Sequence, residues 1–435
     1  MNKVAFHTFG CKLNYSETST ISRIFKKNGF KTTSIENKPD EVIINTCSVT
    51  ENADKKCKDL IKKINKVSPK SNITVVGCYA QLKPKKISNF HGVNKVLGIK
   101  EKFEFKNYLS SKKKIIHQDI KETKDFKLSY SIGDRTRSFL KIQDGCNFSC
   151  SFCTIPMARG RSRSTGSDEV IIKIKELINE GSKEIVLSGI NIGDFGIIER
   201  KRKEDFSTLI DKIEKINNEI RLRISSIEPN LLHDNIIKLI ARSNKFVNHF
   251  HIPMQSGNDK ILKLMSRKYD TNLYSEKIKK IKKEVKNSCI GADVIVGFPG
   301  ESDKDFKKTL NFIKNLNLNY LHVFPYSERD NTRSIGLVDI VSRETKEKRS
   351  KILRSLSEKL KRNFYKKNIN KEHNVLFEKT KDKNYIYGFT ENYVRVKVPY
   401  NKKLIGSIKK TYLYDIDSNS CVIGKIIWNE NNLCR

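Results

Sequence analysis

Short apolar runs closed by small residues alternate along the chain with longer stretches of mixed polarity, and the two periods predict strands and helices in turn. Runs rich in Val and Ile at 3–9, 41–46 and 72–77 read as strands, and 17–27 and 53–65 have helical spacing. That order predicts a small parallel α/β domain over 1–112. The charged stretch 112–127 has little apolar periodicity, so 113–131 reads as a linker. Beyond it strand and helix alternate six times, with strands at 139–143, 184–188, 221–226, 248–252, 292–296 and 320–324. One of the intervening helices, 168–179, gathers Val170, Ile171, Ile174, Leu177 and Ile178 on one stripe behind Ser167 as N-cap. Six such units suit a complete or partial β/α barrel better than a doubly wound sheet. A strongly basic helix at 343–367 trails the barrel, giving a second domain over 132–368. In the tail, 369–435, short alternating aromatic segments at 374–378, 385–389, 393–398 and 411–415 predict a small all-β domain. The fold class is thus α/β with a small β barrel appended.

Composition changes this picture in one respect. The 86 Lys and Arg against 49 Asp and Glu give a formal charge of +37, which favours a polyanionic partner. Lys, Asn and Ile recur everywhere in the chain, so biased coding accounts equally well for much of the excess. The N-terminal residues read as a strand rather than a signal segment, and nowhere do apolar residues run long enough to span a bilayer. A cytosolic protein with no membrane partner is expected.

Ten cysteines in a reducing compartment point to metal rather than disulfides. Cys146, Cys150 and Cys153 have the spacing C-x3-C-x2-C, with Phe152 before the last. Three thiolates so spaced can hold three corners of a [4Fe-4S] cluster and leave one iron open. A closed zinc site would need a fourth ligand nearby, and neither Cys nor His lies between Cys153 and His233. The triad follows the first barrel strand, where such barrels carry their chemistry. The combination resembles the radical S-adenosylmethionine (SAM) superfamily, and the resemblance implies SAM bound at the open iron. Strand ends supply candidate SAM contacts: Gly189 and Asn191, Ser226 and Glu228, Gln255, and Gly297 and Gly300 of the Gly-Phe-Pro-Gly turn.

Cys11, Cys47 and Cys78 are far apart in sequence, yet each immediately follows one of the three N-terminal strands. Carboxyl ends of neighbouring parallel strands converge on one edge, so these thiolates could hold a second cluster. Cys57, Cys289, Cys421 and Cys434 lack such partners and read as structural.

The segments Thr8-Phe9-Gly10-Cys11-Lys12-Leu13-Asn14, Asn45-Thr46-Cys47-Ser48-Val49-Thr50, Gly77-Cys78-Tyr79-Ala80-Gln81 and Gln143-Asp144-Gly145-Cys146 resemble the methylthiotransferase family of radical SAM enzymes. Within it they are most similar to the MtaB branch, which acts on N6-threonylcarbamoyladenosine at position 37 of tRNA. The segments 251–257 and 322–327 are also family-like, and the β-rich tail resembles a TRAM domain. Met157 and the segment 328–334, which lacks prolines, depart from the family pattern. The resemblance implies two [4Fe-4S] clusters and two uses of SAM: one donates a methyl group to sulfur at Cys11, Cys47 and Cys78, and the other yields a radical that takes hydrogen from C2 of the adenine. It also implies the tRNA anticodon loop as partner, a reductant such as flavodoxin or ferredoxin, and a sulfur donor that the sequence does not identify.

Two groups are candidate substrate contacts. Arg159, Arg161 and Arg163 follow the cluster loop and suit a carboxylate or a phosphate. Tyr393, Arg395 and Lys397, beside Tyr385, Tyr387 and Phe389, suit RNA, with alternate residues serving as core. Other readings stay open at this point: a methylthiotransferase for isopentenyl-adenosine or for a ribosomal protein, or a nucleic-acid-binding iron-sulfur protein without catalysis.

Overall fold

The computed structural model describes residues 2–48, 51–133 and 136–428. Cys434 and the Val49-Thr50 end of one motif lie outside them. In the first hundred or so residues a six-stranded parallel sheet has the order Lys31–Thr32, Lys3–Thr8, Glu41–Thr46, Asn72–Gly77, Val93–Leu97, Ile115–Ile116. Its centre is apolar on both faces, as a sheet covered on both sides requires. Val42 and Ile44 pack with Ile61 and Ile64 of the helix Glu51–Val67, while Ile43 and Val76 pack with Ile21 and Phe25 of the helix Lys12–Lys27. Cys57 is buried in the first of these clusters, as a structural cysteine. The charged stretch expected as a linker is built into the fold instead. Its Ile115–Ile116 forms the last strand of the sheet, and Ile120 is buried, because isolated isoleucines among the lysines find apolar partners.

All six central strands form, divided between two sheets. Ser129–Tyr130, Ser138–Lys141, Glu184–Ser188 and Arg221–Ile224 make one; His249–His251, Cys289–Val296 and Tyr320–Pro325 make the other. A lone parallel bridge, Leu222 to Phe246, joins them, so the barrel is partial. The helix Lys12–Lys27 lies along Ser129–Tyr130 and Ser138–Lys141, and Arg23 Nη2 donates to the Tyr130 carbonyl at 2.8 Å. The helix Ser167–Asn179 begins one residue earlier than predicted: Gly166 takes the cap position, and the Ser167 amide donates to Glu204 at 2.6 Å. Among the described residues no helix is long and apolar enough to cross a membrane.

After the basic helix Arg343–Lys366, five strands close a barrel in the order Lys371–Glu378, Tyr385–Phe389, Arg395–Pro399, Val422–Ile426, Ile408–Ile416. Alternation divides its faces: Ile386, Val396 and Val398 are interior, whereas Arg395 and Tyr385 face out. The barrel docks through Arg137 to Glu378 at 2.9 Å and through Asn392, whose amide donates to Asn368 Oδ1 at 2.9 Å.

Glu41 opens a central strand of the first sheet with Oε2 buried and unpartnered, and burial raises its carboxyl to about 7 despite the hydrogen bond from Asn72. A folded-state value raised above the unfolded one means that stability is lost as pH rises through about 7. Glu41→Gln should therefore raise the unfolding temperature at pH 8.5 more than at pH 6, a gain on the order of 1–3 kcal/mol. Equal shifts at both pH values in thermal unfolding would contradict this.

Candidate active site

The loop after Ser138–Lys141 is fastened before its cysteines begin. Gln143 Nε2 donates to the Asp144 and Gly145 carbonyls and to Ser162 Oγ at 3.0, 2.8 and 2.8 Å, and its Oε1 accepts the Asn191 amide at 2.9 Å. Gly145 must be glycine: φ is +71°, and a Cβ would lie 2.1 Å from the Arg161 carbonyl. The sulfurs accept in turn: Cys146 Sγ from the Phe148 amide at 3.3 Å, Cys153 Sγ from the Ile155 amide at 3.5 Å, and Cys150 Sγ from Arg267 Nη1 at 3.0 Å. Burial pushes Cys146 and Cys153 up to about 12, so as thiolates they call for a cationic partner. All three line a cavity of about 460 Å³ whose rim carries Arg161, Arg200 and Arg333. Free thiols, aligned donors and room beside them suit a cluster with an open position. Asn191 Oδ1 and Ser225 Oγ, at two strand ends, are buried without hydrogen-bond partners and are available to a ligand.

The strands that precede the second triad end side by side. The carboxyl ends of Lys3–Thr8, Glu41–Thr46 and Asn72–Gly77 are neighbours, with Thr8 opposite Asn45 and Thr46 opposite Gly77. Gly10, at φ +99°, lies so close that a Cβ would be 3.0 Å from Cys47 Sγ. Asn14 Nδ2 ties the Phe9 and Thr46 carbonyls together at 2.8 and 3.0 Å.

Arg159, six residues beyond Cys153, reaches across to this triad. Its Nε donates to Cys78 Sγ at 3.2 Å; Nη1 donates to Glu17 at 3.0 Å and Asp144 at 2.9 Å; Nη2 donates to Asn14 at 2.7 Å and Glu17 at 3.1 Å. Lys102 and Lys141 also bond Glu17, at 2.6 and 3.0 Å. Burial works to raise Glu17, but Arg159, Lys102 and Lys141 hold it well below the usual carboxylate range. Three buried cations, Arg159, Lys102 and Lys141, face only two carboxylates, Glu17 and Asp144, and Arg163 adds a fourth cation at the edge. That surplus lies against Cys78 and suits an anionic, thiolate-bound cluster.

The segments that bear the two triads touch. Thr154, next to Cys153, donates to the carbonyl of Ser48, next to Cys47, at 3.5 Å. Arg329 seals the side by donating to Ser48 Oγ and Asp54, both at 2.8 Å. Cys153, Thr154, Gln255, Asp293, Tyr326 and Ser327 line a second cavity of about 210 Å³. Behind it Asp293 accepts from His251 at 2.9 Å and His322 at 3.2 Å, and although burial works to raise it, the two imidazoles hold it below the usual range. Lys12 is accessible to solvent yet ringed by protein; burial, then Arg223 and Arg137, bring it down to about 8.

Several expected contacts fall elsewhere. All five guanidinium donors of Arg159 are engaged internally, so it is not a substrate contact. Arg163 is likewise committed, to the Asp125 and Arg159 carbonyls at 2.9 and 2.6 Å. Arg161 is exposed and lines the larger cavity beside the cysteines. Tyr393 turns inward, its ring 4.4 Å from that of His249 and 4.6 Å beneath the Arg223 guanidinium, so it seats the small barrel instead of facing RNA. Gly297 is needed because Lys346 of the basic helix passes within 2.3 Å of where its Cβ would be; neither it nor Gly300 lines the two cavities. Glu228 pairs with Arg267, the residue that donates to Cys150. Arg267, Glu17 and Asp293 were missed by sequence reasoning, and nothing in the order of residues distinguishes a lone Arg or Glu of this kind.

The chain is similar to proteins of named families. Residues 140–313 match the Radical SAM superfamily, and residues 3–98 match "Uncharacterized protein family UPF0004". The chain is 37% identical to a Bacillus subtilis protein named threonylcarbamoyladenosine tRNA methylthiotransferase MtaB, covering 94% of this chain and 93% of the relative. A Thermotoga maritima protein of the same name is 34% identical over 91% of each chain. A Clostridium botulinum tRNA-2-methylthio-N(6)-dimethylallyladenosine synthase is 35% identical, over 79% of this chain and 78% of that one. Among solved structures, the radical SAM methyltransferase TsrM from Kitasatospora setae superposes with a TM-score of 0.53 at 11% identity, covering 75% of each chain, a likeness of fold.

Removing one buried carboxylate tests the network. Glu17→Gln leaves Arg159, Lys102 and Lys141 with Asp144 alone and should destabilise the protein by about 3–5 kcal/mol. A thermal unfolding curve indistinguishable from wild type would show that these contacts do not hold the two parts together.

Proposed function

The chain belongs to the radical SAM family of threonylcarbamoyladenosine tRNA methylthiotransferases, and from that premise we propose that it modifies C2 of the adenosine at position 37 of tRNA with two [4Fe-4S] clusters. Cys146, Cys150 and Cys153 hold one, and Cys11, Cys47 and Cys78 hold the other. When bound, the clusters and SAM supply what the side chains cannot: a radical able to take hydrogen from an unactivated aromatic carbon, and a methylated sulfur to put in its place. The chain's own part is to hold, orient and shield. Arg267, held by Glu228, and the Phe148 and Ile155 amides fix the directions of three sulfurs, and Asn191 and Ser225 offer polar atoms to SAM. The observation that carries the reading is the contact between the segments of the two triads, through Thr154 to Ser48 and Arg159 to Cys78. It supports a single cleft in which one base can meet both.

An anticodon-loop base must be splayed from its neighbours to enter. The small β domain, 369–435, suits the grip on tRNA: Tyr385, Tyr400, Tyr412, Tyr414 and Trp428 are exposed, and Arg395 and Lys397 lie over the rings of Tyr387 and Tyr385. In this reading 1–112 carries the auxiliary cluster, 132–368 the radical chemistry, and the enzyme works in the cytoplasm with a reductant such as flavodoxin or ferredoxin.

Reconstituted anaerobically, the protein should hold about eight irons per chain, and the variant with Cys146, Cys150 and Cys153 changed to Ala about four. Full retention or complete loss of iron in that variant would refute the assignment of two sites. Replacement of Cys11, Cys47 and Cys78 by Ala should leave reductive cleavage of SAM measurable while removing the methylthio product from threonylcarbamoylated tRNA. A folded variant that has lost both activities would count against this division of roles.

A further inference from the structure

Reductive cleavage of SAM consumes one electron, which another molecule must supply. The cluster loop has a face turned outward to receive it. Cys153 lies between two spaces: it lines the smaller cavity with Gln255 and Asp293, and the larger one with Cys146 and Cys150. Asn147, Ser149, Arg161 and Arg333, which also line the larger cavity, are exposed to solvent. An electron entering from that side reaches the sulfurs without crossing the smaller cavity, which need not be opened to water for it.

The rim of the larger cavity is cationic. Among the described residues that line it are three arginines, Arg161, Arg200 and Arg333, and no Asp or Glu. Arg333 is pinned in place by donating to the Ser149 carbonyl and to Ser266 Oγ, neither of which neutralises its charge. The next residue, Ser334, donates its amide to the Ser151 carbonyl at 2.9 Å, so this segment is laid against the cluster loop. Just beyond, Ile335, Val338 and Ile340 are 49%, 76% and 66% exposed, and the one acid among them is Asp339. A single exposed aliphatic residue is ordinary, whereas three in so short a segment beside a cationic rim mark a docking patch. The chemistry separates two classes of partner. Unpaired RNA is gripped by aromatic rings, such as the exposed tyrosines and Trp428 of the small β domain, and Ile335, Val338 and Ile340 offer no ring to stack on. Aliphatic residues next to cations suit an acidic protein instead, and electron carriers dock through small contacts steered by charge. We propose that the surface formed by Arg161, Arg333, Ile335 and Val338 docks an acidic one-electron carrier protein that reduces the cluster of Cys146, Cys150 and Cys153. The carrier is oxidised by one electron and the cluster reduced by one, with no proton or other group exchanged; that electron then breaks the bond from sulfur to C5′ of SAM. The proposal rests on the functional reading above and deepens it by giving the reductant a docking surface.

The probe is a reduced flavodoxin of net negative charge, titrated against reconstituted full-length protein at several salt concentrations. Affinity should fall as salt rises. Arg161→Glu and Val338→Asp should each weaken it about 10-fold at low salt, and Arg161→Lys should keep most of it. Both positions are exposed, so thermal unfolding and iron content should match wild type. With dithionite, a small reductant that needs no docking surface, Val338→Asp should cleave SAM at the wild-type rate; with subsaturating flavodoxin it should be about 10-fold slower. Arg161→Glu should bind threonylcarbamoylated tRNA as wild type does. The proposal is overturned if flavodoxin binding is insensitive to salt and to both substitutions, or if Arg161→Glu weakens binding of tRNA and not of flavodoxin, as an RNA surface would. Wild type that cleaves SAM with dithionite yet does not bind flavodoxin sinks the docking surface and leaves the enzyme's function standing. Wild type that cleaves no SAM with either reductant sinks both.

Discussion

The guanidinium of Arg159 is the constraint around which the site is built. It leaves the cluster loop of the central barrel, enters the first domain, and spends every donor there or at its own base: on Cys78, Asn14, Glu17 and Asp144. Burying a charge this completely demands partners at fixed positions. The helix Lys12–Lys27, the end of Asn72–Gly77 and the loop after Ser138–Lys141 are thereby held in one arrangement. The segments of two cysteine triads, borne on different sheets, are thereby brought into contact.

The same network sets the electrostatics of the chemistry. Buried carboxylates are outnumbered by Arg159, Lys102 and Lys141, so the region beside Cys78 favours negative charge. Arg267, steadied by Glu228, donates to Cys150. The partial barrel leaves an opening that the first domain covers, and Arg329 closes one side of it onto Ser48 and Asp54. Shielding a radical and admitting a nucleic acid base are opposing demands. An open barrel capped by a second domain, with exposed aromatics on a third, meets both.

Much of this was legible in the order of residues. Strand periodicity placed Cys11, Cys47 and Cys78 at equivalent strand ends, and the parallel sheet has those strands as neighbours. The spacing of Cys146, Cys150 and Cys153 carried its chemistry in itself. What failed to show were pairings between distant residues. Arg159 and Arg163, read by position as free to meet substrate, are consumed by partners such as Glu17, 142 residues from Arg159. Tyr393 belongs by pattern to an aromatic strand face, yet it is turned to His249 and Arg223 by the docking of one domain on another. Gly297, read as a ligand approach, also has Lys346 packed within 2.3 Å of where its Cβ would be, a contact between distant residues. Barrel closure depends on strand pairing between residues far apart, which local pattern does not record.

The account is tested most directly by the nucleosides of cellular tRNA. Mass spectrometry of tRNA from cells lacking this gene should show the 2-methylthio derivative of N6-threonylcarbamoyladenosine absent and its precursor accumulated, with restoration by the intact gene and not by one encoding Cys150→Ala. An unchanged level of the methylthio nucleoside in the deletion strain, or loss of a different methylthio nucleoside in its place, would contradict it.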